Sequence, residues 1–401
     1  MPLIEHRFRT LFLTLFAVFI LHGGSMTIIG ATLPKILADF HWDYLAAGIV
    51  LGAGTVAYFV GTFAAGYLAE RWDLKPTILL GLALACAGLV FFATTPNPWI
   101  NAFLGVLIGL GQGGIELGIN SLTLRLDPRH TGRPMNLMHG AFAIGAILGS
   151  IAVGALIKMG LNWFLVYRIM AVVFALLAGV FLFMHVPAQT LQPAASTTTP
   201  TERLSAHPAY WLSCLALFFY VGVELGVSNW IAEYFSGVFK VSAATSPLLV
   251  GVFWAGLLAG RFGVPLFYRG TRQDVLLIGL SASATVALIL LTILGYVAPS
   301  PLTTAIGIGL VFIAGLGCSV YYPVVITLLG KCFPHAQNRV VGFAAAGGGL
   351  GAFVFPFLMS ALAQNWGLRI GFATYAVFAV AMTASAVGLS VAATKGYRQR
   401  S

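Results

Sequence analysis

The stretch "GLGQGGIELGINSLTLRLDPRHTGR" at residues 109–133 decides the fold, because it recurs without gaps as "GLGCSVYYPVVITLLGKCFPHAQNR" at residues 315–339. Shared glycines alone mean little in a chain with 47 of them, but a proline and an arginine also coincide at matching loop positions. The two stretches therefore predict a chain built from two similar halves. Among the coinciding pairs are Gly109/Gly315, Gly111/Gly317, Pro128/Pro334, Arg133/Arg339 and, further on, Gly145/Gly351.

The composition around this repeat is typical of a membrane protein. Hydrophobic side chains make up 59% of the 401 residues and charged ones only 8%, whereas soluble domains carry about 25% charged residues. Because so few polar side chains cannot cover a soluble domain, we expect an all-α polytopic protein embedded in a lipid bilayer. The net charge of +10 does not indicate nucleic-acid binding, since the basic residues are dispersed between apolar segments.

Twelve segments are long enough to cross a bilayer, which takes about 20 mostly apolar residues in a helix. Six of them precede and six follow residues 186–208, which are rich in Pro, Ala, Ser and Thr and predict a cytoplasmic linker. We expect one six-helix bundle at 1–185 and a second at 209–401. The segments are 9–33, 44–69, 76–94, 99–124, 135–159, 163–185, 209–235, 244–267, 274–297, 301–330, 338–362 and 367–393.

The basic residues predict the orientation of these segments. Cytoplasmic loops carry an excess of Lys and Arg. If the N-terminus is cytoplasmic, most of the 21 Lys and Arg residues fall on the cytoplasmic side and Arg261 lies within or near the membrane. We therefore expect a multi-pass protein of the cell (inner) membrane with both termini in the cytoplasm. The basic residues left on the outer side are Lys35, Lys158, Arg168, Lys240 and Arg369.

The fourth segment carries polar side chains that a lipid-facing helix would not tolerate. Gln112, Glu116 and Asn120 share one helical face, which must point to the interior because an intramembrane charge costs about 2.5–3.5 kcal/mol on the insertion scale. We expect Glu116 to carry a proton and the two amides to contact substrate. The alternative is a structural Glu116 bonded to a neighbouring helix. In the second half Tyr322 takes the place of Glu116 and is a further candidate for substrate contact.

The seventh segment contains "FFYVGVELGVSNWIAEYF" at residues 218–235. Glu224 lies near its middle and is the second candidate for proton coupling. Asn229 and Trp230 lie one turn further on, and an amide beside an indole ring suits a hydroxylated ligand. The alternative for Trp230 is a place in the aromatic belt at the membrane interface.

Histidines add two further candidates. His139 and Asn136 lie three residues apart near the cytoplasmic end of the fifth segment. Histidine changes charge closest to physiological pH, so we expect His139 to take part in proton coupling and Asn136 in substrate binding. A packing role for His139 is the alternative. His22, near the middle of the first segment, is a weaker candidate because only Ser25 is polar a turn away.

No sequence pattern indicates a cofactor or an enzyme. The glycine runs lie within apolar segments, where small residues at helical spacing allow close helix packing, whereas a phosphate-binding loop follows a strand. Neither a nucleophile–base pattern nor the spacing of metal ligands is present. We therefore expect no cofactor, no metal and no enzymatic activity.

Twelve segments, a six-plus-six repeat and a central linker resemble the major facilitator superfamily. The loop "GYLAERWDLK" at 66–75 is similar to the superfamily signature Gly-x-x-x-Asp/Glu-Arg-x-Gly-Arg/Lys-Arg/Lys. The resemblance implies that Gly66, Glu70 and Arg71 form a conformational latch. The loop departs from the signature where Asp73 replaces glycine and Leu74 replaces a basic residue.

Within the superfamily, "NLMHGAFAIGAILGS" at 136–150 resembles the fucose–galactose–glucose:proton symporters. That resemblance implies a sugar as substrate and protons as the coupling ion. The chain departs from the group in its first segment, which has His22, Ser25 and Thr27 but no acid. Glu224 is then the candidate for the second carboxyl group. The matching positions are Asn136, His139, Phe142, Gly145, Ala146 and Gly149.

These observations predict a monomeric secondary active transporter that moves a small hydroxylated solute, a sugar, by alternating access with proton symport. The alternative on the same fold is a proton-driven exporter of drugs or metabolites, because the gradients and not the sequence set the direction of transport. A membrane receptor or a membrane-embedded enzyme is a third interpretation, which the segment count and the lack of a catalytic cluster disfavour.

Overall fold

A computed structural model describes residues 4–127, 133–187, 204–268, 272–333 and 336–398. In these ranges the regular structure is helical, with two short 3₁₀ turns beside thirteen α-helices. The α-helices are α1 (Arg9–Phe40), α2 (Tyr44–Trp72), α3 (Leu74–Phe91), α4 (Pro98–Arg125), α5 (Arg133–Lys158), α6 (Leu165–Leu182), α7 (Pro208–Gly237), α8 (Leu248–Phe267), α9 (Gln273–Leu294), α10 (Pro301–Cys318), α11 (Tyr321–Cys332), α12 (Gln337–Trp366) and α13 (Leu368–Arg398).

The predicted fold class, an all-helical polytopic membrane protein, is confirmed. Within the described ranges, eleven helical stretches are long and apolar enough to cross a membrane, one of them formed by α10 and α11 together. A shorter apolar stretch, Leu248–Val264 in α8, corresponds to the eighth predicted segment. The first segment is longer than predicted, since α1 continues to Phe40 instead of ending at residue 33.

The tenth predicted segment, 301–330, is interrupted at Ser319 and Val320. Pro323 contributes to the interruption. A proline has no backbone N–H and its ring clashes with the carbonyl four residues earlier, which here belongs to Ser319. The two helices therefore meet at a break near the middle of the segment, whereas the equivalent α4 of the first half is continuous.

The packing of the helices repeats in the two halves. A Cβ atom at Gly145 of α5 would overlap the carbonyl oxygen of Ile20 in α1, and a Cβ atom at Gly351 of α12 would overlap that of Phe218 in α7. These glycines are one of the pairs that coincide in the sequence. Each allows two helix backbones to approach closely, as small residues do in membrane helices.

The other repeated glycines behave in the same way. A Cβ atom at Gly109 would overlap the carbonyl of Gly54 in α2, and one at Gly315 would overlap that of Phe253 in α8. Gly111 similarly packs on α3 and Gly317 on α9. The repeat in the sequence is therefore a repeat of the contacts that hold each half together.

The chain folds into two compact units, each with its own set of packed helices. The first comprises residues 1–190 and 242–251, and the second comprises 191–241 and 252–401. In the first unit the most extensive packing joins α2 to α4, α1 to α5 and α3 to α4, and in the second it joins α7 to α12 and α13, and α9 to α10 and α13.

Replacing Gly351 by alanine is expected to lower stability by about 1–3 kcal/mol, because the added methyl group meets a backbone carbonyl that cannot rotate away. The matched control is Gly342→Ala in the same helix, where nothing lies within 4 Å of the added atom. There alanine is expected to be neutral or to stabilise by up to about 1 kcal/mol. Thermal unfolding of the detergent-purified variants measures both changes. Equal midpoints for the two variants would show that the repeated contact is not tight.

Candidate functional site

Helix α4 lies between α2 and α3, and its glycines set its rotation. A Cβ atom at Gly113 would overlap the carbonyl of Tyr58 in α2, and one at Gly118 would overlap the side chain of Ile78 in α3. With two faces of α4 fixed in this way, the face that carries Gln112 and Glu116 is turned towards α1. The glycines therefore aim the polar side chains of this segment.

Glu116 forms the central contact of this face. Its Oε2 lies 3.1 Å from Nε2 of His22 in the middle of α1. The His22 side chain is completely buried, whereas 25% of the Glu116 side chain is exposed. The Tyr58 hydroxyl hydrogen-bonds to the same carboxyl group. The carboxyl group is thus held between α1 and α2, at the end of a side chain that is partly exposed.

The other ring nitrogen of His22 determines where its proton lies. Nδ1 is buried and has no hydrogen-bond partner among the described residues. A proton on Nδ1 would be an unsatisfied buried donor, which costs about 1–3 kcal/mol. The neutral ring therefore keeps its proton on Nε2, where it donates to Glu116.

One turn away, a second hydrogen bond joins the same two helices. Nε2 of Gln112 donates to Oγ of Ser25 at 2.9 Å, and the Ser25 hydroxyl donates to the carbonyl of His22 at 2.8 Å. Gln112 and Ser25 are both buried. This pair fixes α1 against α4 beside the contact between His22 and Glu116.

Aromatic rings surround the ring of His22. Phe19 lies 5.4 Å and Phe142 lies 5.5 Å from it, centroid to centroid. His139 lies 6.1 Å from Phe19 and is close enough to Glu116 to interact with its charge. The structure thus brings His139, a predicted site residue, to the same cluster.

Of Asn120 and Asn136, two of the predicted substrate-binding asparagines, the structure describes only the side chain of Asn120. Asn120 is partly buried, and its Oδ1 is a buried acceptor without a partner among the described residues. A buried polar atom that lacks a partner is costly, and this oxygen is covered in this structure. The side chain of Asn136 lies outside the described residues, and its predicted role stays a prediction.

A second carboxyl group is held in the C-terminal half. Glu224 of α7 is buried, and its Oε1 accepts a hydrogen bond of 2.8 Å from the Tyr220 hydroxyl. The guanidinium of Arg261 in α8 lies 3.8 Å from the same oxygen, an ion pair too long for a hydrogen bond. Glu224 is therefore partly neutralised by a permanent positive charge, whereas Glu116 faces a histidine.

The remaining substrate candidates are in different surroundings. Asn229 is partly buried and Tyr322 is 37% exposed. Trp230 is completely buried, so its indole face is covered and not open to a ligand in this structure. Tyr321, next to Tyr322 in the chain, is also buried and stacks on Tyr220 with ring centroids 4.9 Å apart.

The loop between α2 and α3 contains an unusual backbone. Asp73 has φ 76° and ψ 171°, a conformation that is essentially restricted to glycine. This is the position at which the signature has glycine. The carboxylate of Asp73 accepts from the N–H of Leu74 at 2.7 Å and from Nη1 of Arg125 at 2.8 Å. These bonds stabilise a conformation that the side chain itself disfavours.

The charges of this loop shift the titration of Asp73. Partial burial raises the pKa of its carboxyl group, but the hydrogen bond from Arg125, that from the Leu74 N–H and the charge of Arg125 outweigh this and hold the pKa below its usual value. Arg125 and Lys75 also donate to the carbonyls of Pro187 and Met184. The loop therefore connects the ends of α2, α4 and α6.

The predicted latch residues are placed differently from Asp73. Glu70 and Arg71 are exposed, and Gly66 is partly buried. The acid that holds the loop is Asp73, which stands where the signature has glycine. The latch role of Gly66, Glu70 and Arg71 stays a prediction.

The structure adds Arg261 and Asp73 to the predicted site residues and gives His22 more weight than the sequence does. The sequence ranks His22 low because only Ser25 is polar a turn away, places Arg261 only as intramembrane, and shows Asp73 only as a mismatch. One signal for Arg261 is nevertheless present, since a charge within an apolar segment needs a partner. In the described ranges, no group of three or more His, Cys, Asp or Glu residues is arranged to hold a metal ion.

Comparisons with known proteins place this geometry in a family. A family model described as Major Facilitator Superfamily matches residues 15–309 and, in a second match, 253–399. A gentisate transporter of Corynebacterium glutamicum is 25% identical, covering 93% of this chain and 85% of its own. A glucose/galactose transporter of Brucella abortus is 24% identical, covering 88% of each. A crystal structure of a D-xylose–proton symporter matches with a TM-score of 0.75 and 15% identity, covering 95% of this chain and 96% of its own.

Replacing Asp73 by asparagine is expected to lower stability by at most about 1 kcal/mol at neutral pH, because the pair with Arg125 is partly exposed and screened. Asparagine has the same shape as aspartate, so the backbone strain at this position is unchanged, and its amide oxygen retains the bond to Leu74. A carboxyl group with a lowered pKa contributes fully above its unfolded pKa, about 3.9, and loses that contribution as the pH falls through the lower folded value. In thermal unfolding, the difference between wild type and variant should therefore persist from neutral pH to about pH 5 and shrink below about pH 4.

The control for this change is Arg125→Gln, alone and combined with Asp73→Asn. If the two residues form the pair, the combined loss is smaller than the sum of the single losses. Additive losses, or a difference that is as large below pH 4 as at neutral pH, would contradict the interaction.

Proposed function

The chain belongs to the major facilitator superfamily, and on that premise we propose that it is a proton-coupled symporter of a small hydroxylated solute, with a sugar as the favoured substrate. It is a multi-pass membrane transporter rather than an enzyme. The contact between His22 and Glu116 carries the proposal of proton coupling. We also propose that both termini are cytoplasmic in the inner membrane, and that residues 186–208 link two bundles.

Glu116 is suited to carry the proton. Its side chain is partly exposed, and it lies in an apolar helix bundle where a charge without a partner is unfavourable. The His22 Nε2–H can donate to a carboxylate oxygen or to the carbonyl oxygen of the protonated acid. His22 therefore holds Glu116 in one orientation in both states, and the proton that is transported resides on Glu116.

The polar groups beside Glu116 favour a hydroxylated substrate. The buried Asn120 oxygen without a partner among the described residues accepts a hydrogen bond, and hydroxyl groups both donate and accept. The relatives named for glucose and galactose and the fold of a xylose–proton symporter support a sugar. The relative named for gentisate, a hydroxylated aromatic acid, keeps the substrate class broader than sugars.

Replacing Glu116 by glutamine is expected to abolish uphill accumulation of substrate while exchange of substrate across the membrane persists, because glutamine keeps the size and polarity of the side chain but cannot bind a proton. The measurement is uptake of radiolabelled glucose and galactose into proteoliposomes with an imposed pH gradient. The internal concentration should fall to that outside, since a passive carrier only equilibrates its substrate.

The matched control is Glu5→Gln, which removes an exposed carboxyl group at the N-terminus and should leave accumulation unchanged. Intact accumulation in Glu116→Gln would make Glu116 structural. If no sugar moves protons but efflux of a dye depends on Glu116, the chain is an exporter instead of a sugar symporter.

Two substitutions of His22 separate a hydrogen-bond donor from a proton carrier. The amide nitrogen of glutamine occupies about the position of Nε2 in histidine, whereas that of asparagine is one atom short. If His22 only donates to Glu116, His22→Gln should retain accumulation within about threefold, and His22→Asn should reduce it about tenfold or more, as loss of a buried bond to a charged group implies. Equal loss in both variants would show that His22 itself must titrate.

A further inference from the structure

The break between α10 and α11 leaves a backbone carbonyl without its helical donor. In a continuous helix the carbonyl of Ser319 would accept from the N–H of residue 323, but Pro323 has no N–H. The Nε–H of Arg261, in α8, points to this carbonyl oxygen at 3.4 Å. The side chain of one helix thus occupies the place of a backbone donor in another.

The packing of α8 against α10 fixes Arg261 at this position. A Cβ atom at Gly256 would overlap the carbonyl of Phe312, and one at Gly260 would overlap Oγ of Ser319. Gly260 immediately precedes Arg261, so the backbone that carries the Arg261 side chain is in close contact with Ser319 at the break. This close approach explains how a side chain on α8 reaches a main-chain atom of α10.

The same guanidinium faces the buried carboxyl group of α7. Nη2 of Arg261 lies 3.8 Å from Glu224. Glu224 accepts from the hydroxyl of Tyr220, whose ring stacks in parallel on Tyr321, the first residue of α11. Arg261 contacts the end of α10, and Tyr220 contacts the start of α11. The break is therefore contacted from both sides by groups that meet at Glu224.

We propose that Arg261 is a positioning residue for the broken tenth segment: its Nε–H replaces the hydrogen bond that Pro323 removes, and so sets how α11 continues from α10. The relative orientation of α10 and α11 then depends on the position of the Arg261 guanidinium. The inference goes beyond the proposed function, because it concerns a contact within the C-terminal half that does not depend on the substrate or the coupling ion.

The test is a double-mutant cycle of Arg261→Gln and Pro323→Ala. Both are made in a Glu224→Gln background, so that loss of the guanidinium does not leave a buried carboxylate without its positive partner. Pro323→Ala restores the N–H that the Ser319 carbonyl lacks. The readout is hydrogen–deuterium exchange of the peptide covering residues 312–328 in the purified, detergent-solubilised full chain, with peptides of α1 and α5 as internal reference.

In this background, Arg261→Gln should accelerate exchange at the break about tenfold or more, as loss of a bond to a charged donor implies, without changing the reference peptides. In the Arg261→Gln/Pro323→Ala combination, exchange should return to within about threefold of the background. A restored backbone N–H can replace a lost hydrogen bond to the Ser319 carbonyl, but it cannot replace lost packing around the guanidinium. Rescue by Pro323→Ala therefore distinguishes the proposed role from a general packing role.

The proposal is overturned if Arg261→Gln leaves exchange at residues 312–328 unchanged, or if the loss persists in full when Pro323 is alanine. Should Arg261→Gln fail to yield folded protein, recovery of folded protein by Pro323→Ala supports the proposal and failure of the combination overturns it. No substrate is needed for any of these measurements, so failure of the proposed transport function would leave their outcome unaffected.

Discussion

A carboxyl group inside a bilayer has no water to solvate its charge, and the way in which Glu116 is satisfied determines much of the first half of this chain. The group is held by His22 of α1 at 3.1 Å and by Tyr58 of α2. The contact with Tyr58 requires α4 to lie close to α2, which Gly109 and Gly113 of α4 allow. The polar contacts of Glu116 therefore depend on the same helix packing that holds the bundle together.

The two halves share the same helix contacts but place different polar groups beside them. Gly145 packs on Ile20 and Gly351 on Phe218; His22 lies two residues beyond the first contact and Tyr220 two residues beyond the second. In the first half a histidine–glutamate contact lies beside the repeated glycine contact. In the second half the residue at the corresponding position is Tyr220, which donates a hydrogen bond to Glu224 beside the positive charge of Arg261. A carboxyl group that faces a histidine in one half, and one beside a permanent positive charge in the other, favour Glu116 as the site of the transported proton.

Much of the fold follows from the sequence, because apolar length and repeated glycines are local signals. The shared face of Gln112 and Glu116 is also predictable, since helical spacing alone defines it. The partners are not: His22 and Glu116 are 94 positions apart, and no spacing rule joins α1 to α4. The apolar length of the tenth segment predicts one unbroken helix. The structure has a break there, and Pro323, which lacks a backbone N–H, is the signal for it in the sequence. The importance of Asp73 is not evident until the backbone is known, because the sequence shows it only as a departure from the signature glycine and not that the glycine conformation is kept.

We propose that the transported proton resides on Glu116, to which His22 donates through its Nε2–H. Infrared difference spectroscopy of the reconstituted protein between about pH 5 and pH 9, a range that spans the usual titration of histidine, tests it directly. We expect a carboxylic-acid C=O band that grows on acidification and is absent when residue 116 is glutamine. A Glu116 that keeps one protonation state across this range, or an imidazolium band that replaces the carboxyl band, would contradict it.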